Sequence, residues 1–336
     1  MSYAAHTSVM EREIVTALAP KDGGTYVDAT FGGGGYTRAI LRQAKCTVYG
    51  FDRDPTAIER AQSWIEEFDG QIILVERPFS EMKEAMDELG VDGVDGIVFD
   101  LGVSSMHLDQ AERGFSFLRD GALSMRMDCG KPDAGDVIAQ GSASDLAAIF
   151  RVYGEEKKAG LIAKAIIRAR DNDPIMTTKQ LAQIIETAAP QYGSKIHPAT
   201  RVFQALRIFV NDEIGQLIEG LYAAEHLLKP EGRLVVVAFH SLEDRIVKRF
   251  LASRAETKNK GSRHLPPVEK ASPSFSLLYA KPVGPQAGEV KENPRARSAK
   301  LRAGIRLDVP PMPANDDELG APKTVRRNFL EEGLQT

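Results

Sequence analysis

What this 336-residue chain lacks narrows its class before any motif is read. It has two cysteines, Cys46 and Cys129, too few and too far apart for a disulfide framework or a thiolate metal cluster. None of its six histidines lies at metal-ligand spacing from another, so no metal is expected. The longest apolar run, Leu234 to Phe239, falls far short of the ~20 residues that span a bilayer. The opening M-S-Y-A-A-H-T-S-V-M-E-R-E brings acids too early for a signal peptide and has no apolar core. Together these absences predict a soluble protein of a reducing cytoplasm.

The remaining composition is ordinary, with 43% apolar and 27% charged residues, enough to bury a core in about two domains. The net charge of −4 hides an asymmetry. From Arg245 to Arg306 there are 15 Lys or Arg against 4 Glu, which leaves the remainder strongly acidic. A basic face of this kind suits a phosphate backbone; a merely solvated surface is the plainer alternative.

Strands and helices alternate over the first hundred residues. The pattern predicts a helix over 8–19, strands at 25–29, 47–52, 71–75 and 96–100, and helices near 37–43, after Pro55 and over 80–89. Ile58, Ala61, Ile65 and Phe68 share one face of the helix that Pro55 opens. Short links between such elements mean a doubly wound parallel sheet. The next buried strand, R-L-V-V-V-A-F from Arg233, comes some 130 residues later. A crossover needs only a helix's length of chain, so 104–203 reads as a small helical insert, with helices over 145–153, 155–169 and 178–188 and a loop over 130–141. One long helix over 198–228 is expected to lead back, with Pro230 and Gly232 turning into the fifth strand. Ser241 is placed to cap the next helix, with Asp244 three residues on. An antiparallel hairpin is expected from 274–279 and 300–307, with a mobile stretch over 258–268.

The densest signal is V-D-A-T-F-G-G-G-G-Y-T at 27–37. A strand, a glycine turn and a helix N-terminus bring backbone N–H groups close to a nucleotide or nucleoside. Twenty residues on, T-V-Y-G-F-D ends in Asp52, a natural acceptor for a ribose diol. A dinucleotide turn wants a third glycine where Thr37 stands. Four adjacent glycines behind Asp28 look more like the first motif of S-adenosylmethionine-dependent methyltransferases. A nicotinamide cofactor and a glycine loop without ligand both stay open on this motif alone. Phe79, after the third strand, and Asp100, ending the fourth, fall at the same sheet edge, where open α/β sheets bind ligands.

Nearly the whole chain, from His6 to about Leu307, resembles the ribosomal RNA small subunit methyltransferase H family. The resemblance rests on D-A-T-F-G-G-G-G-Y-T, F-D-R-D-P, D-L-G-V-S-S, E-R-G-F-S-F, L-S-M-R-M-D, Y-G-E-E, H-P-A-T-R-V-F-Q-A-L-R-I-F-V-N-D-E, F-H-S-L-E-D-R-I-V-K and E-N-P-R-A-R-S-A-K-L-R. It implies a class I, Rossmann-like α/β sheet with an inserted small all-helical domain. The methyltransferase domain would then run over 1–103 and 204–310, with a substrate-recognising insert over 104–203 and a disordered tail over 311–336. The implied reaction is methylation of the exocyclic N4 of a cytidine in the decoding region of bacterial 16S rRNA by S-adenosyl-L-methionine. The implied partner is 16S rRNA or the small ribosomal subunit, and a homodimer is left open. Cofactor contacts in the family fall on Gly34, Gly35, Tyr36, Asp52, Phe79, Asp100 and His107, of which Tyr36 is often His and His107 often Gln.

The chemistry constrains the residues further. Cytosine's amine is a poor nucleophile, its lone pair delocalised into the ring, so in-line placement does most of the work and can supply ~7–11 kcal/mol. Asp100 is a candidate to accept the amine proton, beside the alternative that it only holds the cofactor. Amino-methyltransferases commonly follow this acid with two prolines and an aromatic; here D-L-G-V follows, so the ring that stacks on the base must lie elsewhere. Phe115 and Phe117 are the candidates, each with a plain core role as its alternative. His240 and Ser241 end the fifth strand on the same edge. Two other functional classes remain to be separated, a nicotinamide-dependent oxidoreductase and a non-catalytic RNA-binding assembly factor.

Overall fold

The computed structural model describes residues 8–103, 105–128, 130, 132–191, 197–255 and 272–322. The chain forms two compact units, one from its N-terminal part to Gly102 together with Gly215–Ala321, the other from Val103–Ile214. In chain order the elements begin α1 (Glu11–Leu18), β1 (Thr25–Asp28), α2 (Gly35–Gln43), β2 (Thr47–Phe51), α3 (Pro55–Ile65), β3 (Ile72–Val75), α4 (Met82–Glu88) and β4 (Val94–Asp100). The helical unit follows with α5 (Ser105–Asp109), α6 (Ala134–Gln140), α7 (Ala143–Gly154), α8 (Ala159–Arg170), α9 (Thr178–Ala188) and α10 (Ala199–Asn211). The chain then returns through α11 (Glu213–Leu227), β5 (Leu228–Ala238), α12 (Ser241–Ala255), β6 (Phe275–Leu277), α13 (Ala287–Glu292), β7 (Lys300–Arg306) and α14 (Asp316–Leu319).

The seven strands form one sheet in the order β3-β2-β1-β4-β5-β7-β6. β1 to β5 are parallel, and β7 is antiparallel to both β5 and β6. Val235, Val236 and Val237 are each 1% exposed or less, as expected for a central strand covered on both faces. α3 starts as its sequence dictates: Asp54 accepts from the Thr56 N–H, and Pro55 fills the first turn, where no N–H is needed. Its apolar face packs Ala61, Trp64 and Ile65, together with Phe68 of the 3-10 turn that follows, with Phe31 and Ile72.

Several expectations shift. α1 starts at Glu11 instead of Ser8, because Met10 takes a left-handed conformation at φ 55°. The loop expected over 130–141 contains α6, started by a capping box between Asp133 and Asp136 that the adjacent glycine obscured. The single helix expected over 198–228 is two helices, broken where Asp212 adopts φ 50°. The helical unit therefore extends to Ile214, further than residue 203. Pro230 and Gly232 lie within β5, where Glu231 takes φ 65°. Part of the tail expected to be disordered is folded. The Met312 and Asn315 N–H groups donate to Glu225 Oε1 and Tyr222 Oη at 3.0 Å each, and Leu319 is buried. Residues 258–268 and 323–336 lie outside the described residues.

Candidate cofactor site

Strand order reverses between β1 and β4, and in an open parallel sheet the crevice beyond the carboxyl ends at such a reversal is where ligands bind. β1 delivers Asp28 there, fully buried. Its Oδ2 accepts from the Thr37 hydroxyl at 2.8 Å and N–H at 3.2 Å, and its Oδ1 accepts from the Thr30 N–H at 3.3 Å. Asp28 thus ties the two ends of the glycine turn together and is spent on that task. Desolvation, opposed by those hydrogen bonds, pushes its pKa up to about 6.

Within the turn, Gly32 and Gly34 take φ 51° and 70°, the left-handed region that side chains disfavour. Gly34 has a second reason to be glycine: a Cβ there would lie 2.4 Å from the indole of Trp64. Trp64 in turn stacks on Phe31, 5.8 Å between centroids, and carries the Arg38 guanidinium 3.7 Å from its ring. The Gly32 N–H donates to Asp52 Oδ2 at 2.7 Å, and the Gly34 N–H donates to the Phe31 carbonyl at 2.7 Å. The turn therefore offers a ligand fewer bare N–H groups than four glycines suggest. It is open at Gly33, where a Cβ would meet nothing within 4 Å.

Asp52 follows β2 and also accepts from the Asp54 N–H, through Oδ1 at 2.8 Å. Backbone N–H groups of Gly32 and Asp54 thus hold the carboxylate at the end of β2. Phe79, after β3, sets its edge on Phe99 at 5.3 Å and 85° and packs on α11 at Gly220, where a Cβ would come within 2.7 Å of the ring.

Asp100 ends β4. Its N–H donates to Thr30 Oγ1 at 2.7 Å, which ties it to the glycine turn. The residue keeps some exposure, yet its Oδ1 is buried with no hydrogen-bond partner among the described residues. Desolvation, then the charges of Asp28 and Glu243, raise its pKa to about 8, opposed by a hydrogen bond with the Tyr36 hydroxyl. Tyr36, 4% exposed, has its own pKa pushed well up by burial and by Asp100 and Asp28. The charges acting on this carboxyl are therefore negative, an environment hostile to a pyrophosphate and receptive to a cation.

Hydrogen bonds tie Asp52 and Asp100 to the turn that contains Gly34, Gly35 and Tyr36 open α2 directly after it, and Phe79 lies on the same strand edge. Glu243, buried at 2% exposure, was not singled out by its sequence, and it takes the capping role expected of Asp244. Its Oε2 accepts from the N–H groups of Phe239 and His240, and its Oε1 lies 3.0 Å from His240 Nε2. Asp244 pairs with Lys300 and Arg302. The S-L-E-D run could have suggested either acid; only the helix phase separates them.

In the helical unit, His107 stacks on Phe115 at 4.9 Å and 23°, and Phe117 meets His197 and Phe203 at 4.7 and 4.9 Å. The L-S-M-R-M-D segment is held there by buried Asn211, which donates to the Met125 carbonyl and accepts from the Met127 N–H. The basic region divides. Arg254 and Arg306 are buried around Glu225, while Arg245, Lys248, Lys291, Arg295 and Arg297 are exposed.

This geometry agrees with what comparison with known proteins finds. A family model described as the MraW methylase family matches residues 3–306. The ribosomal RNA small subunit methyltransferase H of Nitrobacter winogradskyi is 54% identical over 304 residues, covering 90% of this chain and 91% of that protein. Those of Rhodopseudomonas palustris (54%; 92% of each chain) and Maricaulis maris (53%; 92% and 93%) match equally well. Solved structures overlap only weakly: an rRNA methylase from Streptococcus thermophilus has TM-score 0.40 and 11% identity, covering 91% of this chain and 100% of that one. With identity above half over nine-tenths of its length, and with the sheet order and acidic crevice described above, the chain belongs to the MraW methylase family.

Proposed function

We propose that the chain transfers a methyl group from S-adenosyl-L-methionine to the exocyclic N4 of one cytidine in the decoding region of 16S rRNA, in the cytoplasm. The small-subunit rRNA substrate is the one named for its relatives. Neither a nicotinamide-dependent oxidoreductase nor a non-catalytic assembly factor has support in that family. The observation that carries the reading is the acidic crevice, where Asp100 presents a buried, unpaired carboxyl oxygen among carboxylates. The fit to the cofactor is chemical: an open glycine turn, a carboxylate fixed for a diol, and an acidic wall for a cation. When bound, the cofactor supplies a methyl group already activated on a sulfonium.

The chain's own residues do the rest. Asp52 accepts from the ribose hydroxyls, and Phe79 gives the adenine an apolar wall. Gly34, Gly35 and Tyr36 line the amino-acid end, and Asp100 holds the cation. Placement is the main catalytic contribution, with Asp100 as the acceptor nearest in chemistry for the amine proton. Phe117 is a better stacking ring for the base than Phe115, which is 7% exposed and already stacked on His107. The helical unit and the exposed basic side chains bind the rRNA, at the cost of a few kcal/mol for extruding the target base.

The test is transfer of a labelled methyl group to small subunits from a strain lacking this gene, followed by digestion to nucleosides. Label confined to N4-methylcytidine is the expected result. Label in another nucleoside, or none, overturns the reading.

A further inference from the structure

The crevice is lined by acids, yet a nucleotide that sends its base there brings phosphates with it. Asp28 and Glu243 are buried, and Asp52 and Asp100 stand at the ends of β2 and β4. None of these offers a phosphate a counter-charge, so a cation has to be supplied at the rim. Several cations near this edge are already engaged. Arg38 lies over Trp64, Arg77 pairs with Glu88 at 2.8 Å, and Lys300 and Arg302 pair with Asp244 at 3.0 and 2.7 Å. Arg297 differs: it is exposed, and its guanidinium has no hydrogen bond or ion pair among the described residues.

Strand register puts Arg297 at that rim. Val237 of β5 pairs with Asp100 on one side and with Leu301 of β7 on the other, so β7 begins two strand spacings, ~10 Å, from Asp100. Because β7 is antiparallel, its start lies at the carboxyl end of β5, with Lys300 opposite Ala238. The residues just before it, Pro294–Ser298, form a 3-10 turn. Asn293 Oδ1 accepts from the Arg295 N–H at 3.1 Å, and the Ala299 N–H donates to the Ala296 carbonyl at 2.9 Å. Ala296 and Ala299 are 0% and 2% exposed, and Ala299 belongs to the same apolar cluster as Met10 and Tyr36. Upstream, Glu289 of α13 accepts from the Met10 N–H at 2.8 Å. Arg297 and Ser298 are exposed between the two buried alanines. The turn is a fixed mount for a cation that has nothing to bind in the free protein.

We infer that Arg297 grips a backbone phosphate beside the target cytidine and so sets how far the base reaches into the crevice. This rests on the RNA substrate proposed above and gives that site its phosphate contact. A guanidinium fork meets two phosphate oxygens at once, which fixes direction as well as distance. A separation of two strands leaves room for one nucleotide between the guanidinium and Asp100. Lysine in place of Arg297 would keep the charge and lose the fork.

The test is methyl-transfer kinetics on unmodified small subunits, as a function of salt, for the unaltered protein, Arg297→Gln and Arg297→Lys. Arg297→Gln should raise KM for subunits about tenfold or more, the loss of a charge-assisted contact, with kcat little changed. The slope of log affinity against log salt should become shallower by about 0.7–1, one phosphate contact fewer. Arg297→Lys should keep the slope of the unaltered protein and recover part of the affinity. Lys45→Gln, an exposed cation just before β2 at the opposite edge of the sheet, should change neither quantity. Calorimetric binding of S-adenosylhomocysteine should be the same for all four proteins, which separates a phosphate contact from a disturbed fold. An unchanged KM and salt slope in Arg297→Gln, or weakened S-adenosylhomocysteine binding in that variant, overturns the inference and leaves the proposed reaction standing. If the unaltered protein transfers no methyl group to subunits, the proposed reaction fails and the inference fails with it.

Discussion

Asp100 destabilises the sheet that holds it. In the unfolded chain this carboxyl ionises near the ordinary value of about 4, whereas in the fold it ionises at about 8 and Asp28 at about 6. Between those values the folded state holds more protons than the unfolded one. Stability therefore falls as pH rises from about 4 to about 8 and levels off above. Asp100→Asn should raise the melting temperature at pH 8.5 and barely change it at pH 4.5; the same shift at both pH values would contradict the assignment. The gain in stability should come with lost cofactor binding, as is usual where function requires a strained group. Asp52→Ala removes two backbone hydrogen-bond acceptors along with the proposed diol contact, so cofactor affinity should fall about tenfold to a hundredfold by titration. Both acids were legible in the sequence because each ends an apolar, β-branched run. Thr30, which fixes Asp100, and Glu243, which charges its surroundings, were not: their roles arise from β1, β4 and β5 lying side by side.

At the scale of elements, the glycine turn is the most constrained segment. Gly34→Ala adds left-handed strain of about 1–2 kcal/mol to overpacking against Trp64 of about 1–3 kcal/mol. It should lower stability by about 2 kcal/mol or more and alter the emission of Trp64, the only tryptophan in the chain. An alanine variant of ordinary stability would show that the indole does not abut the turn. At α6, Asp133→Ala removes one arm of its capping box and should cost about 1 kcal/mol, read from chemical denaturation of the helical unit. The strands were legible because period and β-branching agree. α6 was hidden by Gly130, Gly135 and Gly141, whose loop-like composition outweighed a capping pair three residues apart. The break at Asp212 was hidden because apolar spacing continues from α10 into α11 across a single left-handed residue.

At the scale of the molecule, charge is divided between what the fold consumes and what it displays. Arg254 and Arg306, part of the basic run that suggested an RNA face, are buried around Glu225 with Ser274, where they anchor the chain ends of β6 and β7. Composition could not tell these from Arg295 or Arg297, since burial is not a property of a charge count. The exposed set still predicts rRNA binding that weakens by about a hundredfold to a thousandfold between 50 and 200 mM salt. A flat response in a filter-binding assay would remove the basic face from the account. The two-unit division was legible in the long gap between strands four and five, but its return point was not, because α10 reads continuously into α11 and yet packs with the helical unit.

The adenosyl cofactor is proposed to sit on the sheet edge beyond β1, β2 and β4. A crystal structure of the protein with S-adenosylhomocysteine tests it most directly. The ribose diol should lie on Asp52, the adenine beside Phe79 and the sulfur facing Asp100. A ligand bound elsewhere, or one whose ribose does not touch Asp52, would contradict it.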